Sequence, residues 1–552
     1  MLDTSPAFAP LFAGALAIAS VLSLAGCVGS VASDGPSLGP ATGGAGTSLP
    51  GGGAPGTGPA AGTGSGTGAD GGGPPATPGV LSSPYTRLTR AEYQATIKAA
   101  YGVDAPVTGI PDDGRVGPFT SNVFPSISPI DPVQVYMLAS EDLADAIVPA
   151  KLPACTAANA ATCVAASYQA PIERLYRRAL SPAELTALAN IVISVEGAGL
   201  SSQDATRAMV LSTLISPSFL FRSTPLDDPG ARGRGLAELL GFALWDAPPD
   251  AELVAAGKVA ATDLGASLKE QAARLGADAR AVPVLARFLA QWLAVDLDAR
   301  LADPNASLAT SPLYAELQAF VKTALTTNMS VKSFANGTQG FIQKSNFAAY
   351  AMPATTATTD VVPVTWGAST VRRGILAEEL FMDATRHPNP GRRPIFRGHM
   401  IRSNFLCQPV AAPPANVVCL DTEVKDRTTD PRCMGCHSMM DPIGKAFAPL
   451  DLDNTAGSPA PVVNGTGEVS GTFADLPAMF DKIADSQAYA DCFSRNLLSF
   501  FLEQNPDTVD SAAVSDVSAV VKSGGSLADA VGQAVVSLEK RSQSATAWCS
   551  AQ

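Results

Sequence analysis

The chain has 552 residues, with 37 Lys and Arg against 50 Asp and Glu, a formal net charge of −13 and a pI of about 4.8. That balance argues against a nucleic-acid binder, which needs a basic stripe to neutralise phosphates, and an apolar fraction of 46% argues against a chain disordered throughout. At one domain per roughly 150 residues the length predicts about three or four units, and with nine Cys and three His every His is worth weighing as a ligand.

Residues 11–26 form an apolar run that stops at Cys27. It is short for a spanning helix, which takes about 20 apolar residues. Leu24-Ala25-Gly26-Cys27 resembles the lipobox of bacterial lipoproteins. In that family the signal peptide is cut before a Cys that then carries lipid. No Lys or Arg precedes Arg87, so the usual basic start of such a signal is missing. An ordinary secretory signal with a chance Cys is the other reading. Residues 28–80 hold 19 Gly and eight Pro among 53. Such a stretch buries too little apolar surface to offset its ordering entropy, and as a flexible coil it spans about 40 Å. The expectation is a signal peptide at 1–26 and a lipid-anchored, disordered tether at 27–83.

The body reads as mainly α. Thr89-Arg90-Ala91-Glu92 and Ser181-Pro182-Ala183-Glu184 are capping boxes that open helices, the second with Pro at the first helical position. Amphipathic spacing predicts further helices over roughly 133–148, 169–179, 203–215, 233–245, 310–327, 371–385, 475–486, 488–503, 509–522 and 527–540. Leu285, Phe288, Leu289, Trp292 and Leu293 make one apolar stripe, so Trp292, and Trp245 likewise, are expected to be core anchors. Residues 336–368 are the least helical stretch and suggest a short hairpin. The modules are expected at 84–150, 151–225, 226–365, 366–460 and 461–552.

One motif carries chemistry. Cys433-Met434-Gly435-Cys436-His437 is C-x-x-C-H. On one helical turn, two thiols at this spacing can each bond a haem vinyl group, and the adjacent imidazole then binds the iron. Zinc would need a second such pair, and a thioredoxin-like couple would need a βαβ context. A disulfide within the pair is the remaining alternative. The sixth iron ligand is open: Met440 sits on the same side as His437, Met479 lies far enough downstream to wrap the group, and Met400 or His399 are alternatives. For Met479 an ordinary core position competes. Arg397 and Arg402 are candidates for haem propionates or ordinary surface charges. Asp441-Pro442 is expected to end the haem-bearing turn, and Gly444 to permit close approach to the porphyrin. Asp451, Asp453 and Asn454 carry only a weak calcium signal.

With one Cys for lipid and two for haem, six remain, an even number that suits an oxidising compartment. Cys155 and Cys163 enclose a short polar loop and are expected to pair. Cys407 with Cys419 around a Pro-rich loop, and Cys492 with Cys549 by elimination, complete one of 15 possible connectivities.

The chain further resembles the planctomycete-type cytochrome c proteins, a multi-module family also common in myxobacteria. The matching stretches are Arg87 to Tyr93, Tyr176 to Ser181, Ser216 to Arg222, Leu244 to Asp250, Arg372 to Leu376, Arg397-Gly398, Leu406 to Pro409, Cys433 to His437, Met440 to Gly444, Gly471 to Phe473 and Asp491-Cys492. The loop after Cys407 is shorter than the family's, and Lys445 is atypical. The resemblance implies a haem-c-type function and supplies no substrate.

Together these observations predict an exported lipoprotein, anchored to the outer membrane and facing the periplasm or cell surface, with a c-type-cytochrome-like C-terminal module. It would hold one haem c through Cys433, Cys436 and His437 and transfer electrons to a protein with a basic face, since its own surface is acidic. Its contact with the bilayer would be through the anchor alone. The alternatives are a surface binding or scaffold lipoprotein whose C-x-x-C pair is structural, and an oxidoreductase that uses haem as an internal relay.

Overall fold

The computed structural model describes residues 83–122, 131–224, 226, 228–293, 311–367, 370–387, 389–410, 427–451, 462–463, 469 and 471–550. The signal and tether readings, Cys27, Cys419, Asp453 and Asn454 lie outside them.

The fold is mainly α. In chain order the principal helices are α1 (Arg90–Tyr101), α2 (Asp131–Ile147), α3 (Gln169–Tyr176), α4 (Pro182–Gly197), α5 (Ser202–Leu214), α6 (Arg232–Trp245), α7 (Ala261–Ala277), α8 (Ala281–Trp292), α9 (Pro312–Thr326), α10 (Glu379–Ala384), α11 (Arg393–Met400), α12 (Met434–Lys445), α13 (Leu476–Ala484), α14 (Gln487–Leu502), α15 (Ser511–Lys522) and α16 (Leu527–Ser550). Both capping boxes form. Thr89 N donates to Glu92 Oε2 at 2.8 Å while Glu92 N donates to Thr89 Oγ1 at 3.2 Å, and Ser181 and Glu184 repeat the exchange. Each satisfies two N–H groups that a helix start leaves orphaned.

The strands are short. β1 (Ser83–Arg87) pairs antiparallel with β2 (Phe221–Thr224), with Arg87 opposite Phe221. The expected hairpin is present: β3 (Gln339–Gln343) runs antiparallel to β4 (Val361–Thr365), with Phe341 opposite Pro363. The helix expected over 371–385 is broken. Gly374 sits at φ 56, where the backbone packs against the carbonyls of Phe334 and Ala335, and a single 3₁₀ turn precedes the six-residue α10. A β-carbon there would meet the Phe334 carbonyl oxygen at 2.3 Å, so only Gly fits.

Helices α6 to α10 and α12 to α16 share one core, which Phe119 also joins and which reaches to Leu538. Its aromatic centre is Trp292, stacked on Phe405 at 4.9 Å and edge-on to Phe493 at 5.4 Å, with Phe288 and Tyr489 beside it. Trp292 and Trp245 are thus both core anchors, as their spacing suggests. The hydrophobic gain is why α8 is buried along its stripe.

Several stretches that carry the family resemblance are built around ion pairs, one buried and one half-buried. Arg177, in the left-handed conformation that ends α3, pairs with Glu238 at 2.9 Å and donates to the carbonyls of Leu175, Ser218, Phe219 and Phe221. Asp246 takes both terminal nitrogens of Arg287, at 2.6 and 2.7 Å. Such groups are kept in place because a lone buried charge is costly.

Candidate functional site

α12 carries the C-x-x-C-H motif. A turn over 427–433 leads into it, in which Met434 N donates to Asp430 O at 2.8 Å and His437 N to Cys433 O at 3.1 Å. The helix does not stop at Asp441. It runs through Pro442 to Lys445. Proline lacks an N–H and its ring opens the helical ladder locally. The carbonyl that this leaves without a helical donor is that of Ser438, four residues back; one residue further on, Arg402 Nε, from the helical turn after α11, donates to Met439 O at 2.7 Å.

Because the helix continues, His437 and Asp441 fall on one face, four residues apart. His437 Nδ1 lies 3.0 Å from Asp441 Oδ1 and 3.1 Å from Oδ2. An ionised carboxylate only accepts, so Nδ1 is the donor, and in the neutral imidazole that tautomer leaves the lone pair on Nε2. The carboxylate is buried, whereas the His437 side chain is 15% exposed. This is the arrangement that fixes the tautomer and ring orientation of a ligating His. Sequence reasoning missed it by ending the helix at Pro442. The i, i+4 spacing of His and Asp was the available signal.

α11 and α12 pack with their backbones in contact. A β-carbon at Gly398 would stand 1.8 Å from the Met440 carbonyl oxygen, and one at Gly444 would stand 1.8 Å from that of Pro394. Gly444 therefore serves helix–helix approach within the protein, not approach to a porphyrin.

The two arginines weighed as propionate partners or surface charges are engaged within the protein. Arg397 is 1% exposed and donates to both oxygens of Asp451, at 2.8 and 2.6 Å, so it is no surface charge and Asp451 no free calcium ligand. Arg402 is buried, and beyond Met439 O it donates to Gln408 Oε1 at 2.7 Å. Desolvation lowers its pKa.

Met479 is fully buried on α13, which packs against 333–336 and α14, while α12 packs against α11. Met440 is buried on α12 itself, Met400 is half-buried against the core, and His399 is exposed.

The cysteines correct part of the expected pairing. Cys155–Cys163 forms. Cys407 bonds Cys492, with Cα atoms 5.2 Å apart, instead of Cys419, and Cys492 is therefore not paired with Cys549. The cause is packing. The π-helical turn Ile401–Phe405 that precedes Cys407 is held against α14 by Phe405 on Tyr489, with ring centroids 4.9 Å apart. The Cys549 side chain lies outside the described residues. Cys436 is a free, half-exposed thiol. Cys433 is in a disulfide, and neither Cys436 nor any of the four cysteines above is its partner. Among the described residues no cluster of three or more His, Cys, Asp or Glu could hold a metal ion, and no helix is long and apolar enough to cross a membrane.

Four family models match the chain. Residues 86–149 match PSD3, a protein of unknown function (DUF1587), and 163–223 match PSD5, a protein of unknown function (DUF1595). Residues 233–352 match PSD4, a protein of unknown function (DUF1592), and 372–453 match PSCyt3, a protein of unknown function (DUF1588). Together they cover more than half of the chain, and the last of them contains α12. No curated protein and no solved structure matches it.

Proposed function

Because the chain belongs to the planctomycete-type cytochrome c multi-module family, we propose that it is an exported, lipid-anchored electron carrier with one haem c on α12. The observation that supports this most is the His437–Asp441 contact, which orients a half-buried imidazole and leaves Nε2 outside that contact. The donor set fits such a group: Cys436 is a free thiol directly before His437, and Cys433 lies three residues earlier. The Cys433 disulfide must be reduced before that sulfur can form a thioether. A bound haem here would supply reversible one-electron exchange. Asp441 holds the proton of Nδ1 and makes the imidazole a stronger donor. Met479 is buried in the core, so His437 is the side chain that would hold the iron in this reading.

Haem-peroxidase staining of the denatured protein, purified from an exporting host with a haem-attachment system, tests the proposal. A stained band is expected, and a colourless one overturns it. Replacing Cys27 should release the protein from the membrane fraction. A basic redox partner should be reduced more slowly as salt rises.

The Cys433 disulfide favours a second reading, a tethered surface binding or scaffold lipoprotein in which the C-x-x-C cysteines are structural. A colourless native protein whose Cys433 stays disulfide-bonded supports it.

A further inference from the structure

A cavity of about 520 Å³ opens between α1, β2, α6, α8, α9 and α14, lined by residues remote in sequence from the C-x-x-C-H motif. Its size is that of a small-molecule site. Its wall is polar in an unusual way. Arg222 is buried and shared between two carboxylates: Nη2 lies 3.0 Å from Glu92 Oε1 and also contacts Glu503 Oε1. Across the cavity Arg287 is held by Asp246. Arg222 Nε has no hydrogen-bond partner among the described residues. A buried donor left unpaired beside a cavity is a cost with no structural return.

Glu503 closes α14 in the left-handed conformation, at φ 52, as Arg177 closes α3 and Asp246 closes α6. Burial pushes the Glu503 carboxyl up to about 7, the adjacent Arg222 notwithstanding.

The wall chemistry narrows the ligand. Both guanidinium groups are matched by carboxylates, so no cation is left for an anionic ligand. Asp113, also on the wall, already accepts from Arg90 N and Asn122 Nδ2. What remains are the unpaired Nε–H donors of Arg222 and Arg287, spare acceptor capacity on the carboxylates, the amide of Gln318, and the apolar rings of Phe500 and Phe501. Oxygen acceptors beside aromatic faces suit a ring that carries hydroxyls on its edge and C–H groups on its faces. We propose that this cavity binds a neutral polyhydroxylated ligand of mono- to disaccharide size, with Glu92, Glu503 and Gln318 taking its hydroxyls and Phe500 its apolar face.

The test uses saturation-transfer NMR and calorimetry on the purified full chain. The probes are maltose, cellobiose and N,N′-diacetylchitobiose, with glucuronate and putrescine as charged controls. At least one neutral saccharide should bind. Gln318→Trp, at a half-buried wall position, should weaken that binding at least tenfold without altering the thermal melt. Gln318→Leu, which keeps the volume and removes the amide, should weaken it several-fold and serves if the Trp variant does not fold. Binding by none of the three saccharides, binding only by a charged control, or unchanged affinity in a folded Gln318 variant overturns the proposal.

Discussion

Asp441 and His437 are joined across one turn of α12, with the carboxylate buried and the imidazole reaching partly into solvent. The pair forms because α12 keeps Asp441 helical and runs on through Pro442 to Lys445.

Replacing Asp441 with Asn keeps the shape and removes the charge. If α12 carries haem, the variant should still stain, but its midpoint potential should rise, because a less basic imidazole stabilises ferric iron less. Spectroelectrochemistry of the two proteins checks this, and an unchanged potential would show that Asp441 has only a packing role.

Gly398→Ala should be among the most damaging single changes. Its β-carbon would meet a backbone oxygen at 1.8 Å, and a backbone cannot swing aside as a side chain can. A loss of about 2–4 kcal/mol in chemical denaturation is expected from overpacking plus separation of α11 from α12. Gly435→Ala, three residues after the motif's neighbour Arg432 and with nothing within 4 Å of the added carbon, is the matched control and should be close to neutral.

Trp292→Ala removes the ring on which Phe405 stacks and against which Phe493 packs. The expected loss is about 3–5 kcal/mol, read as a lowered denaturant midpoint.

The two described disulfides should differ in worth. Cys407–Cys492 spans 85 residues and Cys155–Cys163 spans eight. Chain-entropy arguments give about 4–5 kcal/mol for a loop near 100 residues and about 3 for one near 15. Cys407→Ser with Cys492→Ser should therefore lower the thermal midpoint more than the same change at Cys155 and Cys163.

Stability should fall as pH rises from about 4.5 toward 8. The Tyr350 hydroxyl lies 2.5 Å from Glu316 Oε2 and 2.8 Å from Glu378 Oε2, and it also accepts from Glu379 N. One hydroxyl hydrogen cannot serve both oxygens, so a carboxyl proton is needed. Burial pushes Glu378 up to about 8 and raises Glu316. A group with a raised folded pKa contributes stability that is complete below its unfolded value and is lost on the way up to the folded one. Glu184 works in the opposite sense: its hydrogen bond from Arg178 lowers it to about 2, so its contribution fades as pH falls below about 4.5. Melting Glu378→Gln alongside the parent from pH 5 to 8 should show a flatter decline for the variant.

Local order was legible in the residues alone. Thr89 with Glu92 and Ser181 with Glu184 mark helix starts because a cap is decided within four residues. The Trp292 stripe marks a buried face because helical periodicity is local, and the Cys155–Cys163 bond follows from a short loop. The helical class follows from the summed patterns. What tertiary structure decided are the relations between distant segments. Cys407 meets Cys492 because Phe405 packs on Tyr489, not because of spacing. Arg397 belongs to Asp451, 54 residues away, and Arg222 gathers Glu92 and Glu503 from 130 and 281 residues away. Even α12, which looks local, is held against α11 by the backbone contacts at Gly398 and Gly444. A sequence pattern encodes what lies within a few turns of chain, whereas ion pairs, cross-links and cavities are decided by which apolar faces find one another, and that choice is energetic and global.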